Sequence, residues 1–213
     1  MKSLGFVIVL CCVASLGGRA QELKEIKLKA PDKNRGVSVM KALELRQSQR
    51  EFAPRALSRE DLSDLLWAAN GINRPESGKR TAPSAMNKQD IDIYVCLPEG
   101  AYLYEAKDHV LKPVTAGDLR MAVAGAQSQV AEAPVALVLV SDIAKFNGDK
   151  TQRMLMGAMD AGIVSQNIAV FCAGTGLVTV PRMSMDQAKL KKALKLRSEQ
   201  ELMLNNPVGY PKP

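Results

Sequence analysis

Two arginines and a serine stand close together in the stretch Arg46-Gln47-Ser48-Gln49-Arg50. Each guanidinium presents a planar fork of N–H donors that matches a phosphate or a carboxylate, and the serine hydroxyl adds a short donor and acceptor. The stretch follows an amphipathic segment, Val37 to Leu45, and precedes a helix-start signal at Ser58. Backbone N–H groups at such a junction can join the side chains around an anion. Two arginines four residues apart also occur on ordinary solvated helix faces, so this cluster alone leaves both interpretations open.

A second polar stretch, Thr81 to Gln89, favours the anion site over the solvated face. It is rich in small residues and in amide and hydroxyl groups, and it has no helical period. A strand pattern, Ile91 to Leu97, follows it directly.

Other kinds of site find little support in the residue counts. The only histidine, His109, lies in a turn-like segment, which makes a histidine-dependent triad hard to build. Cys96 and Cys172 stand in apolar patterns without zinc-like spacing, and we expect both to be buried. The formal net charge of +7 falls to +5 if Lys2 and Arg19 are removed with the leader. The sequence contains no lysine-rich run with interleaved aromatics, which would indicate nucleic-acid binding. The positive charge therefore favours a small anionic ligand.

Residues 1–20 have the layout of a cleavable signal peptide. Lys2 supplies positive charge, Leu4 to Leu16 is an apolar run, and residues 18–20 place small side chains three and one positions before a cut. A lipoprotein is the weaker interpretation, because neither Cys11 nor Cys12 follows a suitably small residue; an uncleaved anchor also stays open. The sequence therefore predicts an exported, periplasmic protein whose mature chain, 21–213, is a single domain.

The mature chain reads as helices and strands in the order α, α, β-meander, α, β, α, β, α, β. The charged stretch 21–35 lacks periodicity and is expected to be an arm over a partner subunit. Alternation over Ile91 to Leu97 predicts the first strand of the meander, and a helix is expected over 117–129. The longest helix, Thr151 to Ala173, mixes small and large apolar residues and is the candidate centre of the core or of a dimer interface. This order predicts the α+β class, with a mainly antiparallel sheet flanked by helices.

Five motifs, taken in order, resemble the nitroreductase family, whose members are flavin enzymes that use FMN. They are the opening Arg46 to Phe52, the helix Leu57 to Ala69, the loop Pro83 to Gln89, the helix and turn Gly162 to Gly176, and the closing segment Pro207 to Pro211. The resemblance covers nearly all of the mature chain. It is nearest to the branch that includes thiazoline and oxazoline dehydrogenases and secreted bacterial relatives.

This resemblance implies the nitroreductase fold and a domain-swapped type of homodimer with two FMN sites at the interface. It implies that Arg46 and Ser48 meet the phosphate, and that Arg50 lies near the phosphate or the pyrimidine edge of the flavin. The loop from Pro83 would reach the flavin from the partner chain, and residues just after Val180 would line the ring. No protein side chain is expected to be catalytic, since the flavin carries the chemistry. The implied cofactor-binding residues are Arg46, Gln47, Ser48, Arg50, Pro83, Ser84, Ala85, Met86, Asn87, Gln89, Pro181, Arg182 and Met183.

The implied function is a two-electron oxidoreductase acting on small flat acceptors such as nitroaromatics or quinones, with NAD(P)H as a candidate donor. The alternatives are an exported flavin-binding redox module without turnover and a structural domain with an empty site. Met183-Ser184 stand where the family often has two glycines, which would narrow the space over the flavin. Lys212 is the one basic residue after Tyr210-Pro211, so phosphate affinity is expected to rest on Arg46 and Arg50. Neither nucleic acid nor stable membrane insertion after cleavage is expected.

Overall fold

The computed structural model describes residues 22–213 of the chain. The predicted signal peptide, residues 1–20, and its boundary with the mature chain lie outside the described residues and stay predictions.

A seven-stranded sheet, antiparallel in every pairing, runs through the centre of the fold. Its strand order is β1-β6-β5-β4-β7-β9-β8, and β2 and β3 form a separate hairpin. The α+β class and the predicted meander, β4 to β6, are confirmed. The strands are β1 Ile26–Lys27, β2 Ile72–Arg74, β3 Lys79–Arg80, β4 Ile91–Leu97, β5 Gly100–Glu105, β6 Val110–Ala116, β7 Val135–Asp142, β8 Val178–Thr179 and β9 Gln200–Gly209.

Within residues 22–213 there are five α-helices: four cover the two faces of the sheet, and the first packs against the fourth. Alternate residues of β7 point to opposite sides, so that Leu137 and Leu139 join the core under α2 and α4 while Val138 and Val140 join the core under α3 and α5. All eight residues of β7 are buried, which is the burial expected of a central strand covered on both faces. The helices are α1 Val39–Leu45, α2 Arg59–Asn70, α3 Arg120–Ala124, α4 Lys150–Thr175 and α5 Gln187–Ala193.

The helix predicted over 117–129 is wrong as a continuous element. It breaks at Gly125, whose φ of +57° is a left-handed conformation that glycine adopts without strain. The short helix α3 ends there, and a 3₁₀ turn follows at Ser128–Glu132. Apolar periodicity alone did not reveal the break, because it continues through the glycine.

Residues 26–35 are not a loose tail, because they pack on their own chain; their contact with a partner stays a prediction. Ile26 pairs with Leu111 across β1 and β6. The Lys29 N–H donates to Ser63 Oγ at 2.9 Å, and the Arg35 guanidinium binds both Asp61 and Asp64, at 2.6 and 2.8 Å. These side chains of α2 therefore fix the segment that leads into α1.

Helix α4 is the only helix within residues 22–213 that is long and apolar enough to cross a bilayer. It behaves as a core helix, since eight of its residues are buried against α2 and the sheet. It ends as predicted at Gly176, which adopts a left-handed conformation and donates its N–H to Cys172. Cys96 and Cys172 are buried and unbridged, as expected, and burial raises the pKa of the Cys96 thiol to about 12.

Candidate functional site

The arginine segment is tied to strands that come much later in the chain. Helix α1 ends at Leu45, and the Arg46 N–H donates to the Ala42 carbonyl at 2.9 Å. The Gln49 N–H donates to Thr179 of β8 at 3.0 Å, and Phe52 pairs with Pro211. Backbone contacts at both ends thus leave the side chains of the segment free for other partners.

The two guanidiniums of this segment have no internal partner. Arg46 is half-buried, while Ser48 and Arg50 are exposed. Within residues 22–213, no carboxylate lies within salt-bridge distance of either arginine. Two uncompensated cations beside a hydroxyl are the donor set that a phosphate dianion requires, so these residues fit the phosphate of FMN.

The second predicted stretch forms a strained loop that sits on α4. The Ala85 N–H donates to both carboxylate oxygens of Asp160, at 3.1 and 2.8 Å, and Ser84 Oγ accepts the Gln89 N–H at 2.8 Å. Met86, Asn87 and Gln89 have φ values of 52°, 53° and 47°, a left-handed conformation that costs free energy in non-glycine residues. Pinned at its base, the loop exposes Pro83, Met86 and Asn87.

Gln89, although predicted to bind the cofactor, is occupied inside the loop. Its Oε1 accepts from Arg80 Nε at 3.0 Å, and its Nε2 donates to the Gly78 carbonyl at 3.1 Å. Its carbonyl also accepts from Lys145 Nζ at 2.8 Å. Gln89 therefore braces the loop against the β2–β3 hairpin.

Arg182 is likewise built into the protein. It is buried, and its guanidinium donates to Gln127 Oε1 at 3.0 Å and to Asn205 Oδ1 at 2.9 Å. It also donates to the carbonyls at the end of α3, Val123 at 3.1 Å and Ala124 at 2.6 Å. Burial lowers the pKa of Arg182, and the nearby charge of Arg50 lowers it further. Four of its five donors are used, so the side chain holds the neighbouring Pro181 and Met183 in place, and these two are the exposed members of the predicted trio.

The arginine segment and the loop lie at different levels of α4 in one protomer. Gln47 and Gln49 line a cleft with Ala169 and Cys172, whereas the loop is fixed at Asp160. At 1.5 Å per residue, these levels are roughly 14–18 Å apart along the helix. The cleft itself encloses only about 20 Å³, far below the roughly 300–1,000 Å³ of ligand pockets. In a single chain, residues 46–50 therefore form an open surface that could bind an anion but does not enclose it. This surface is called the ledge below.

A larger groove of about 620 Å³ lies elsewhere, between Leu57, Leu97 and Pro134. It contains none of the thirteen predicted site residues. Its mainly apolar walls do not match the polar groups expected around a phosphate, so we assign the site from the arginines and the loop.

Large apolar side chains are exposed on α1 and α4. In the amphipathic segment Val37 to Leu45, every residue except Ala42 is exposed. On α4, Leu155 and Met159 are each 62% exposed, and an added Cβ at Gly162 would meet nothing within 4 Å. An exposed set of large apolar side chains often marks an interface. Its members, called the apolar patch below, are Val37, Val39, Met40, Leu43, Leu45, Leu155 and Met159.

Comparison with known proteins settles the family. A family model described as the Nitroreductase family matches residues 43–210. The chain belongs to the nitroreductase family. Membership in it implies a flavin-dependent oxidoreductase, and the family and the fold expected from the five motifs are both confirmed.

Solved and curated nitroreductase relatives match along most of their length. The crystal structure of a candidate nitroreductase from Ralstonia eutropha JMP134 is 36% identical, with a TM-score of 0.83, covering 89% of this chain and 90% of that one. A candidate nitroreductase of Methanocaldococcus jannaschii is 29% identical over 177 residues, which are 77% of this chain and 86% of that protein. A structure from Clostridium acetobutylicum named as an NADH oxidase is 22% identical, with a TM-score of 0.56 over 82% of this chain and 88% of its own; it supports the fold alone.

Sequence reasoning missed the residues that hold this nitroreductase site in place. Asp160 pins the loop, Asn205 pairs with Arg182, and the Thr179 carbonyl fixes the arginine segment. Asp160 carried a usable signal, because it is the only acidic residue in α4 and it stands among apolar neighbours. A lone carboxylate in a core helix predicts a buried polar partner.

Proposed function

We propose that this nitroreductase-family protein is a homodimeric, FMN-dependent oxidoreductase that transfers two electrons to or from small flat acceptors such as nitroaromatics or quinones. The observation that carries the proposal is the segment of Arg46, Ser48 and Arg50, fixed by its backbone and without internal partners for its charges. FMN, when bound, supplies the hydride and electron transfer, and the protein supplies position and charge.

In this proposal Arg46 and Ser48 bind the phosphate, while Arg50 places positive charge beside the phosphate or the pyrimidine edge. A cation there stabilises the negative charge of reduced flavin. Pro181 and Met183, held in place by Arg182, line the ring. The small flat acceptors follow from the need for direct contact with the flavin face.

The second protomer completes the site in the proposed dimer. The separation of the loop from the arginine segment along α4 supports a loop that serves the partner's FMN. The apolar patch lies partly on the segment that leads into the arginines and partly on α4, so a dimer buried there would bring one chain's ledge to the other chain's loop. Pro83, Met86 and Asn87 would then contact the flavin, while Ser84, Ala85 and Gln89 hold the loop.

A flavin-binding redox module without turnover is the second candidate. Met183 favours it, because this large side chain is 72% exposed where two glycines would leave open space. The absorption spectrum of the purified protein tests both candidates: flavin bands with FMN as the released cofactor are expected, and a colourless protein that takes up no FMN would reject both. Turnover with dithionite and a nitro acceptor would then exclude the passive module.

Arg46→Ala is expected to weaken FMN binding by about 1.5–3 kcal/mol, because a charge-assisted pair is lost at a half-buried position. Titration of FMN into the apoprotein measures this. Arg59→Ala is the matched control, since it removes an exposed arginine of α2 whose one contact is a 3.5 Å hydrogen bond to Lys27; it should leave the affinity unchanged. If Arg46→Ala and Arg59→Ala bound FMN with equal affinity, Arg46 would not be part of the FMN site.

Reduction by NADH or NADPH is expected to be slow compared with reduction by dithionite. Two observations motivate this: the predicted export signal would take the protein away from cytosolic nicotinamide, and Met183 narrows the space over the ring. Anaerobic stopped-flow bleaching of the flavin tests this, and rapid bleaching at micromolar NADH would contradict the expectation. Met183→Gly is the paired variant, which should accelerate nicotinamide more than dithionite.

A further inference from the structure

Two buried carboxyl groups meet beneath the loop that is proposed to face the partner's FMN. Asp90 directly precedes β4 and is 0% exposed, and Asp160 of α4 is 3% exposed. The Ser141 hydroxyl donates to Asp90 Oδ2 at 2.5 Å, and Asp160 lies within hydrogen-bond reach of Asp90. The other Asp90 oxygen, Oδ1, has no N–H or O–H donor from the protein. Both oxygens of Asp160 accept the Ala85 N–H at the base of the loop.

A glycine makes this close approach of α4 to the sheet possible. An added Cβ at Gly157 would lie 2.4 Å from Ser141 Oγ and 2.8 Å from Met203 Cε, so only glycine lets the helix backbone rest on β7 there. Asp160 stands one turn further along and is thereby brought against Asp90. The pair is therefore part of the packing of α4 on the sheet.

No cation compensates the pair within residues 22–213. No salt bridge includes either carboxyl group. Two basic groups that contact the loop are committed to Gln89: Lys145 Nζ binds its carbonyl and Arg80 Nε binds its Oε1. Burial, together with the neighbouring Asp160, raises the pKa of Asp90 to about 7. Below that pH, Asp90 carries a proton that it can donate to Asp160; above it, two adjacent carboxylates repel.

We propose that Asp160 is a positioning residue for the cofactor loop. Protonated Asp90 donates a hydrogen bond to Asp160, and the Asp160 oxygens accept the Ala85 N–H. This anchor keeps Met86 and Asn87 in the left-handed conformation that presents them to the partner's FMN. The inference rests on the proposed FMN site. When Asp90 ionises, repulsion displaces Asp160 and the loop loses its anchor.

The pH dependence of FMN affinity tests this in the full-length dimer. Relative to Asp90→Asn, whose amide keeps donating at every pH, the wild-type protein should lose about tenfold in affinity between about pH 6 and pH 8.5. The FMN phosphate has its own pKa near 6, but this contribution is common to both proteins and cancels in the ratio. Asp92→Asn is the matched control, because Asp92 on the same strand binds Gln200 instead; it should follow the wild-type profile. Asp160→Asn should bind FMN weakly at every pH.

A cofactor-free measurement separates this inference from the proposed function. The amide ¹⁵N resonance of Ala85 in the apoprotein should titrate near pH 7 in the wild type and in Asp92→Asn, and should not titrate in Asp90→Asn. A titrating resonance supports the carboxyl pair even if FMN does not bind, in which case the proposed function is what fails. The inference would be overturned if the Ala85 resonance of the wild type did not titrate and the pH dependence of its FMN affinity matched that of Asp90→Asn. If Asp160→Asn does not fold, the comparison of Asp90→Asn with the wild type still decides.

Discussion

Gly162→Leu is expected to dissociate the proposed dimer and to release its proposed FMN in the same step. An added Cβ at Gly162 meets nothing within 4 Å of its own chain, so the protomer itself has room for the new side chain. In a two-fold interface the substitution occurs twice, and overpacking costs about 1–3 kcal/mol per site. Dimer association should therefore weaken by about 2–6 kcal/mol. Light scattering and flavin content, measured on the same samples over a dilution series, report both effects.

Gly162→Ala is the control that separates packing from helix propensity. Alanine stabilises a helix interior by about 1 kcal/mol relative to glycine, so this variant should remain dimeric and loaded. A Gly162→Leu protein that is monomeric yet fully loaded would refute the shared site. A variant that stays dimeric with all of its FMN would place position 162 outside the interface.

Arg182→Met is expected to lower the free energy of unfolding by about 3–5 kcal/mol, because several buried acceptors lose their donor at about 1–3 kcal/mol each. The substitution preserves much of the side-chain volume but leaves the Asn205 amide oxygen and the carbonyls of Val123 and Ala124 without their donor. Urea denaturation of the apoprotein at one fixed protein concentration is the appropriate measurement, since bound cofactor and dimerisation would both add to the apparent stability.

Arg50→Met is the informative comparison for this variant. Arg50 is exposed and unpaired, and its charge disfavours the charged form of Arg182, so its loss should leave stability nearly unchanged while FMN affinity falls. Arg182→Met is thus expected to lose mainly stability, and Arg50→Met mainly FMN affinity. If Arg182→Met had normal stability but did not bind FMN, Arg182 would be a cofactor-binding residue instead.

The sequence predicted the parts of this fold that repeat locally and missed the parts that depend on distant partners. Alternation over 91–97 found β4, because a strand repeats its two-residue pattern along its whole length. The break at Gly125 depends on a single backbone conformation, which has no period. The segment leading into the arginines was correctly predicted to be amphipathic. The helix sequence alone does not determine whether its apolar residues contact the core of their own chain or another chain.

The candidate site shows the same division. Arg46, Ser48 and Arg50 could be chosen because their chemistry is visible from residue type alone. Arg182 has the same chemistry, yet it is committed to α3 and β9 by contacts with Gln127 and Asn205 that no local pattern announces. Residue type predicts what a group can bind, and only the fold determines whether the group is still available.

The pairing of Phe52 with Pro211, described above for the arginine segment, bears on when this site forms as the chain folds. The neighbouring contact between Ser58 and Tyr210 joins residues 152 positions apart, so closing it costs the entropy of a very long loop and belongs among the late, non-local steps of folding. A chain that emerges from a ribosome or a membrane channel with its N-terminus first exposes Arg46 and Arg50 early but anchors them only after its last strand has paired. If these arginines bind FMN as proposed, an ordered site exists only after folding, and the flavin would have to be supplied in the compartment where the last strand docks.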